Sequence, residues 1–442
     1  MDSLPWNQWR AKNDKIAKIA RRSVIPLLLG TFILRATGGA GSIVLGRFLA
    51  QLSIENGHAI SNIHVGLISV AYYIVELTLA PVLGAFSDRL GRRIFLIVGP
   101  LFGLVQVALL IFTPTRNAFP YLLGLQLLAG ISSAMQVPAV LGYLADYTTQ
   151  DQSLRMRVMS LYELATSGGL AVGVVLGGFA WDHFERNAFA LLACGYLLVA
   201  ACMLLVPAVK QIIERGKARA LAARYWRIIH TPRLFIFIPA WVSISALVSI
   251  WLSSQLVFVL SVPHHDKQQL LMGSMSQHGG GGHLSLILGV YVLFFGLCLL
   301  FWAFYLNHVP RLLLMLASIT GVCLACIALA GLNHTGAQNR PLLIVWIVLL
   351  FVGIFAESSF APAALAYLAD ISEEAAKDRG LLMGLYSVFL GLGQLLGNGL
   401  GGVFAQNWGF DGLIFLTLIL AFVALLSLLR LFSLEKRRLA VE

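Results

Sequence analysis

Three ionisable side chains stand in stretches that otherwise carry almost no charge: Arg35, Glu76 and Glu357. A charge at the centre of a bilayer costs roughly 2.5–3.5 kcal/mol, so such residues face the protein interior and have either a partner or a task. The helical faces agree. On the face of Arg35 come Thr31, Gly38, Gly39 and Ser42, which are small or polar; around Glu76 come Ser69, Tyr72 and Tyr73; Gly353 and Ala361 flank Glu357. Two readings stand for Arg35 and Glu76. Arg35 fixes an anionic group or pairs with a carboxylate whose proton is exchanged, or the two form a structural salt bridge between neighbouring helices. Glu357 has no basic residue at its depth in its own half of the chain. A buried carboxylate of that kind is suited to taking up and releasing a proton.

The elements that must position these groups are announced by a dense charged knot, Gly84-Ala85-Phe86-Ser87-Asp88-Arg89-Leu90-Gly91-Arg92-Arg93. The runs before it (Val65 to Leu83) and after it (Ile94 to Phe112) are long enough to cross a ~30 Å hydrocarbon core as helices. The knot is therefore expected to be a short, sharply turned loop, and its arginines place it on the cytoplasmic side. Gly84 and Gly91 permit close packing and unusual backbone angles there.

Composition sets the class. Of 442 residues, 59% are hydrophobic and only 12% charged. That excludes a soluble domain, and the long unbroken apolar runs exclude a barrel, leaving an all-α polytopic membrane protein. The net charge of +11 follows from basic cytoplasmic loops rather than from nucleic-acid binding. Met1 to Arg22 is polar and basic and leads directly into a full-length span, which reads as an uncleaved arm lying on anionic lipid. The five cysteines all fall in apolar runs and read as small hydrophobes, Cys323 and Cys326 included. The histidines around the glycine-rich loop, His264, His265, His278 and His283, lack metal-site spacing.

The expected layout is a basic arm (1–23), an N-terminal six-helix half (24–209), a basic cytoplasmic linker (210–233), a C-terminal six-helix half (234–433) and a short tail (434–442). The twelve spans lie near 24–49, 65–83, 94–112, 120–146, 156–181, 188–209, 234–262, 285–305, 311–332, 341–369, 380–405 and 410–432. On this layout 25 of the 31 Lys and Arg fall in inside segments and five in outside segments, with Arg35 left in the membrane. So strong a bias puts both termini in the cytoplasm. An internal repeat supports the two halves. Pro138 to Asp146 (PAVLGYLAD) reappears as Pro362 to Asp370 (PAALAYLAD), and the same offset pairs Arg155 with Arg379 and Gly177-Gly178 with Gly401-Gly402.

The charged knot resembles the loop between the second and third helices of the major facilitator superfamily, Gly-x-x-x-Asp-Arg-x-Gly-Arg-Arg, with each fixed position met. The resemblance covers essentially the whole chain after Arg22. It implies two pseudo-symmetric six-helix halves that rock about a midplane site. It also implies that spans one, four, seven and ten line the central cavity, and Arg35, Glu76, Gln126 and Glu357 are assigned to a substrate or proton path. Asp88, Arg89, Arg92 and Arg93 would clamp the inner ends of neighbouring helices. Asp146 would receive an arginine of that loop, and Asp88 would meet the start of span eleven near Arg379. Asp370 and Arg379 resemble a second clamp, and Glu163 is placed to join the first.

The chain departs from the family's pattern in three places. The second copy of the loop, near Tyr305 to Arg311, keeps only Arg311. Gln126 stands where proton-coupled members often carry an arginine four residues before a glycine, here Gly130. Gly169-x-x-x-Gly173-Val174-x-x-Gly177-Gly178 is similar to the span-five motif of antiporters but has Val174 in place of proline. Helix packing alone accounts for such glycine spacing equally well.

Ser87 before Asp88 and the glycine-rich span five look most like the drug-export branch. The expectation is a monomeric carrier in the plasma membrane (cell inner membrane) that exports small amphipathic organic compounds by proton antiport, with no cofactor and no metal. Its partners would be a small-molecule substrate, protons and the lipid bilayer. Uptake of a small metabolite by symport or uniport, with an anion held by Arg35, is the first alternative. A non-transporting receptor on a carrier fold is another. No Gly-x-x-x-x-Gly-Lys-Ser/Thr loop and no catalytic triad is present, which argues against a primary pump and an enzyme.

Overall fold

The computed structural model describes residues 6–57, 60–147, 152–208, 229–264, 268–277, 281–305, 309–374 and 379–439; within these, the side chains of 6–23, 145–146, 152–157, 160, 277, 281, 303, 369, 372–374, 379–387 and 438–439 are not described. The described residues form helices: α1 Trp6–Glu55, α2 Asn62–Leu90, α3 Arg92–Leu110, α4 Ala118–Tyr147, α5 Gln152–Phe184, α6 Ala188–Leu204, α7 Pro232–Trp251, α8 Ser254–Ser261, α9 Ser274–Gln277, α10 Gly281–Tyr305, α11 Arg311–His334, α12 Arg340–Glu357, α13 Phe360–Glu374 and α14 Arg379–Leu439. Among them, 10 helical segments are long and apolar enough to cross a membrane. Two of these hold two crossings each. Leu161–Leu204 turns at the 3-10 helix Glu185–Asn187, and Val388–Arg437 turns at Gly409, whose φ of 61° suits glycine. Twelve crossings result, in two six-helix halves.

Local chemistry sets the ends. Ser61 caps α2 by accepting from His64 N–H, while the His64 ring accepts from Ser61 N–H at 3.2 Å, a reciprocal capping box. Thr231 and Pro232 start α7 with proline at the first helical position. α1 runs unbroken from the basic arm into span one, so the arm is not a separate helix lying on the surface; no glycine or proline separates Arg22 from Val24.

Spans seven and ten, expected to be continuous, are both interrupted. Span seven breaks at Leu252 and Ser253, and span ten breaks at Ser358 and Ser359, directly after Glu357. Serines near each break absorb freed carbonyls: Ser253 Oγ donates to Ile250 O at 2.9 Å, Ser358 Oγ to Phe355 O at 2.8 Å and Ser359 Oγ to Ala356 O at 2.7 Å. Irregular backbone survives at membrane depth only when satisfied in this way.

Each half is held by a glycine face. Gly169, Gly173 and Gly177 lie against the backbone of Phe32, Ala36 and Ala40 of span one, residues at the same four-residue spacing. In the other half Gly393 and Gly397 of span eleven lie against Val242 and Ala246 of span seven. These are the same positions under the offset of the sequence repeat. Backbones this close gain dispersion contacts that no lipid chain can replace. The halves then meet along two seams. Gly66 of span two packs on Gly402 of span eleven, and Gly289 of span eight packs on Val175 of span five.

Candidate functional site

A cavity of about 490 Å³ lies between the halves. Spans one, two, four, seven, ten and eleven supply most of its wall, and the breaks of spans seven and ten border it through Ser253, Ser254, Phe360 and Ala361. Its lining is rich in neutral hydrogen-bonding groups, among them Ser42, Ser69, Gln126, Ser249, Gln394 and Asn398, interleaved with Tyr72, Tyr73, Tyr196 and Trp241. Arg35 also lines it.

Arg35 is positioned by the span one–span five seam, where Gly169 leaves room for its Cβ. Tyr162 of span five, Tyr72, Glu76 and Glu163 lie within electrostatic reach of its guanidinium. Its Nε has no hydrogen-bond partner. Glu76 is held separately: Ser133 Oγ of span four donates to its Oε1 at 2.5 Å, with Tyr72 nearby. Arg35 and Glu76 do not form an ion pair within 4.0 Å; they interact across a gap. Gln126 is buried and faces the cavity.

Glu357 sits elsewhere. It is 8% exposed and is not part of the cavity lining. The last residue of α12, it packs where Gly321 of span nine meets the backbone of span ten. Tyr291 of span eight and Cys326 of span nine are its electrostatic neighbours. That setting has no sequence signature, because helical periodicity cannot foresee a break one residue beyond Glu357.

The charged knot is helical through Leu90, and the turn expected there shrinks to Gly91 alone, whose φ of 103° favours glycine and whose N–H donates to Ser87 O at 3.1 Å. Asp88 pairs with Arg92 at 3.0 Å across this turn, and Arg93 donates to Leu204 O of span six at 2.8 Å. The Arg92 guanidinium fills the space beside Gly142 of span four. The knot thus ties spans two, three, four and six of one half together, with Arg89 exposed. Asp370 pairs with Arg311, which also donates to Ala366 O at 2.9 Å. The Asp146 and Arg379 side chains, and residues 210–228 of the linker, lie outside the described residues.

Sequence reasoning missed the cluster that seals one end of the cavity. Gln255 Nε2 donates to Asn62 Oδ1 at 2.8 Å, Asn62 N–H donates to Gln406 Oε1 at 3.0 Å, and Arg47 donates to Ser261 Oγ at 3.2 Å. Asp182 accepts Gly282 N–H at 2.6 Å. Each bond joins one half to the other at the end away from the chain termini. Their signal was weak because the amides of Asn62 and Gln255 sit near span ends, where polar residues are ordinary.

The comparisons with known proteins agree with this architecture. The chain is 29% identical over 153 residues to multidrug resistance protein 1 of Bacillus subtilis (strain 168), covering 35% of this chain and 38% of that one. It is 24% identical over 347 residues to multidrug resistance protein 2 of the same organism, covering 76% and 79%. The solved structure of the nucleoside transporter NupG superposes with a TM-score of 0.72 over 93% of this chain and 99% of that one, at 14% identity, a likeness of fold. The sequence profile of the Major Facilitator Superfamily matches residues 27–276 and 269–441, essentially the whole membrane region. With two six-helix halves around one central cavity, the chain belongs to the Major Facilitator Superfamily, a multi-pass membrane transporter and not an enzyme.

Proposed function

We propose that this transporter exports small amphipathic organic compounds by proton antiport, through alternating access at the central cavity. The observation that carries the reading is the cavity itself. At about 490 Å³, between halves bonded at one end, it has the size and the mixed aromatic and polar wall of a drug-sized binding site. The relatives named for multidrug resistance support export. With both termini in the cytoplasm of a plasma-membrane protein, as the Lys and Arg distribution supports, the bonded end is the outer one and the structure is an inward-facing state. Loading from inside is the first step of export. A monomer suffices, since the cavity is built within one chain.

On this reading Asp88, Arg89, Arg92, Arg93, Asp146, Asp370 and Arg379 form the inner gate. Glu357 carries the coupling proton: it sits beside the break of span ten, where a change of helix packing would alter its surroundings. Arg35, positioned by the span one–span five seam, holds substrate, and Glu76 adds negative charge within its electrostatic reach. Uptake remains the second reading, and one observation favours it: a cationic cavity wall at Arg35 suits an anionic metabolite as well as an exported compound. The test is reconstitution in liposomes with an imposed pH gradient and a panel of compounds. Proton-driven movement out of the cytoplasmic side supports export; movement in the opposite direction supports uptake; no flux of any compound overturns both.

A further inference from the structure

We propose that the central cavity selects amphipathic compounds bearing an anionic group, seated on Arg35, over lipophilic cations of the same shape. The inference rests on the reading that this cavity is the substrate site and names the class of molecule it takes.

Three observations meet here. Arg35 is the one charged side chain in the cavity lining among the described residues, and no carboxylate lines it. The guanidinium is not held in a direct ion pair: Arg35 and Glu76 form none within 4.0 Å. The nearby acids are not at the cavity wall. Glu76 is engaged by Ser133, and neither it nor Glu163 belongs to the lining. An arginine at a cavity wall matches a carboxylate or phosphate in geometry and charge.

The rest of the wall suits the remainder of such a molecule. Tyr72 and Tyr73 meet edge to face, with ring centroids 4.9 Å apart, and offer flat apolar surface beside Arg35. Gln126, Gln394 and Asn398 supply neutral donors and acceptors on either side of the cavity. Aromatic rings also attract cations. That attraction competes here with the like charge of Arg35, and the buried acids of Glu76 and Glu163 oppose it in turn.

The experiment uses the full chain in detergent micelles and two xanthene dyes, fluorescein with its free carboxylate and rhodamine 6G as its cationic ester counterpart. Affinity is read by fluorescence anisotropy. The expected result is that fluorescein binds at least about tenfold more tightly, that Arg35→Gln removes this preference, and that Arg35→Lys keeps part of it. Rhodamine 6G binding as tightly as fluorescein, or a fluorescein affinity unchanged by Arg35→Gln, overturns the proposal. Tighter binding of the cation that is lost in Glu76→Gln also overturns it and assigns selectivity to the acid. Should Arg35→Gln not fold, Arg35→Lys carries the comparison: a reduced preference for fluorescein supports the proposal, and an unchanged preference or one for the cation contradicts it.

Gly38 provides the control for location, because it lines the cavity and a side chain added there meets open space. Gly38→Phe should weaken both dyes. If it leaves both unchanged, the dyes bind elsewhere and the assignment of the cavity as substrate site fails. Dye selectivity without transport would instead spare this proposal and count against export.

Discussion

Gly173 of span five lies on the backbone of Ala36 of span one so closely that a side chain there has no room. Gly397 repeats the arrangement on Ala246 of span seven. A substitution at Gly173 must push two helix backbones apart. Gly173→Leu should therefore destabilise the protein by about 1–3 kcal/mol or more, the range for overpacked interiors. Gly124→Ala, at a site with nothing within 4 Å, should change stability little or raise it slightly. Thermal unfolding of the two purified variants in one detergent checks the contrast, and equal melting temperatures would contradict it.

Asp88 is half-exposed and pairs with Arg92 beside it across the Gly91 turn. Exposed pairs contribute about 0–1 kcal/mol, so Asp88→Asn should leave folded yield nearly unchanged. Its effect should fall on turnover, because the proposed clamp stabilises one of two rocking states. Initial flux in proteoliposomes measures this, and a wild-type rate in Asp88→Asn would remove Asp88 from the gate.

Asn62 and Gln255 form the hydrogen bond that most directly joins the halves at the sealed end. One such bond contributes about 0.5–1.5 kcal/mol. Gln255→Leu should then shift the conformational balance roughly 2- to 12-fold toward opening at that end. A single cysteine at Ser69, which lines the cavity, should react correspondingly faster with a membrane-impermeant reagent added from outside. No change in labelling rate would mean that the bond does not hold the gate.

The orientation of the chain follows from charge. A tag at residue 220 should be cytoplasmic and one at residue 280 external. Protease protection in intact and opened vesicles reads both. Finding them on the same side would break the expected layout at span seven.

The helical class, the charged turn and the duplicated halves were legible in the sequence because each has a one-dimensional signature: apolar runs, a dense motif, a constant offset. The repeat of Gly177-Gly178 at Gly401-Gly402 was visible, whereas its extension to Gly393 and Gly397 became meaningful only when both lay on the backbone of span seven. The cavity-facing positions of Arg35 and Gln126 followed from the family resemblance and helical faces. The setting of Glu357 was not legible, since it depends on where span ten breaks and on which residues of spans eight and nine lie opposite. The seal made by Asn62, Gln255, Arg47 and Asp182 was hidden for the same reason. Its partners are hundreds of residues apart or in different halves, and no local pattern links them.

The central claim is that an inward-directed proton gradient drives outward movement of substrate and that Glu357 carries the proton. The most direct measurement is initial flux of one transported compound in proteoliposomes, with and without an imposed pH gradient, for wild type and Glu357→Gln. The account predicts that the gradient accelerates wild-type flux, while Glu357→Gln still binds and slowly exchanges the compound but no longer responds to the gradient. A full response in Glu357→Gln would take the coupling proton away from Glu357, and a wild type indifferent to the gradient would contradict proton antiport itself.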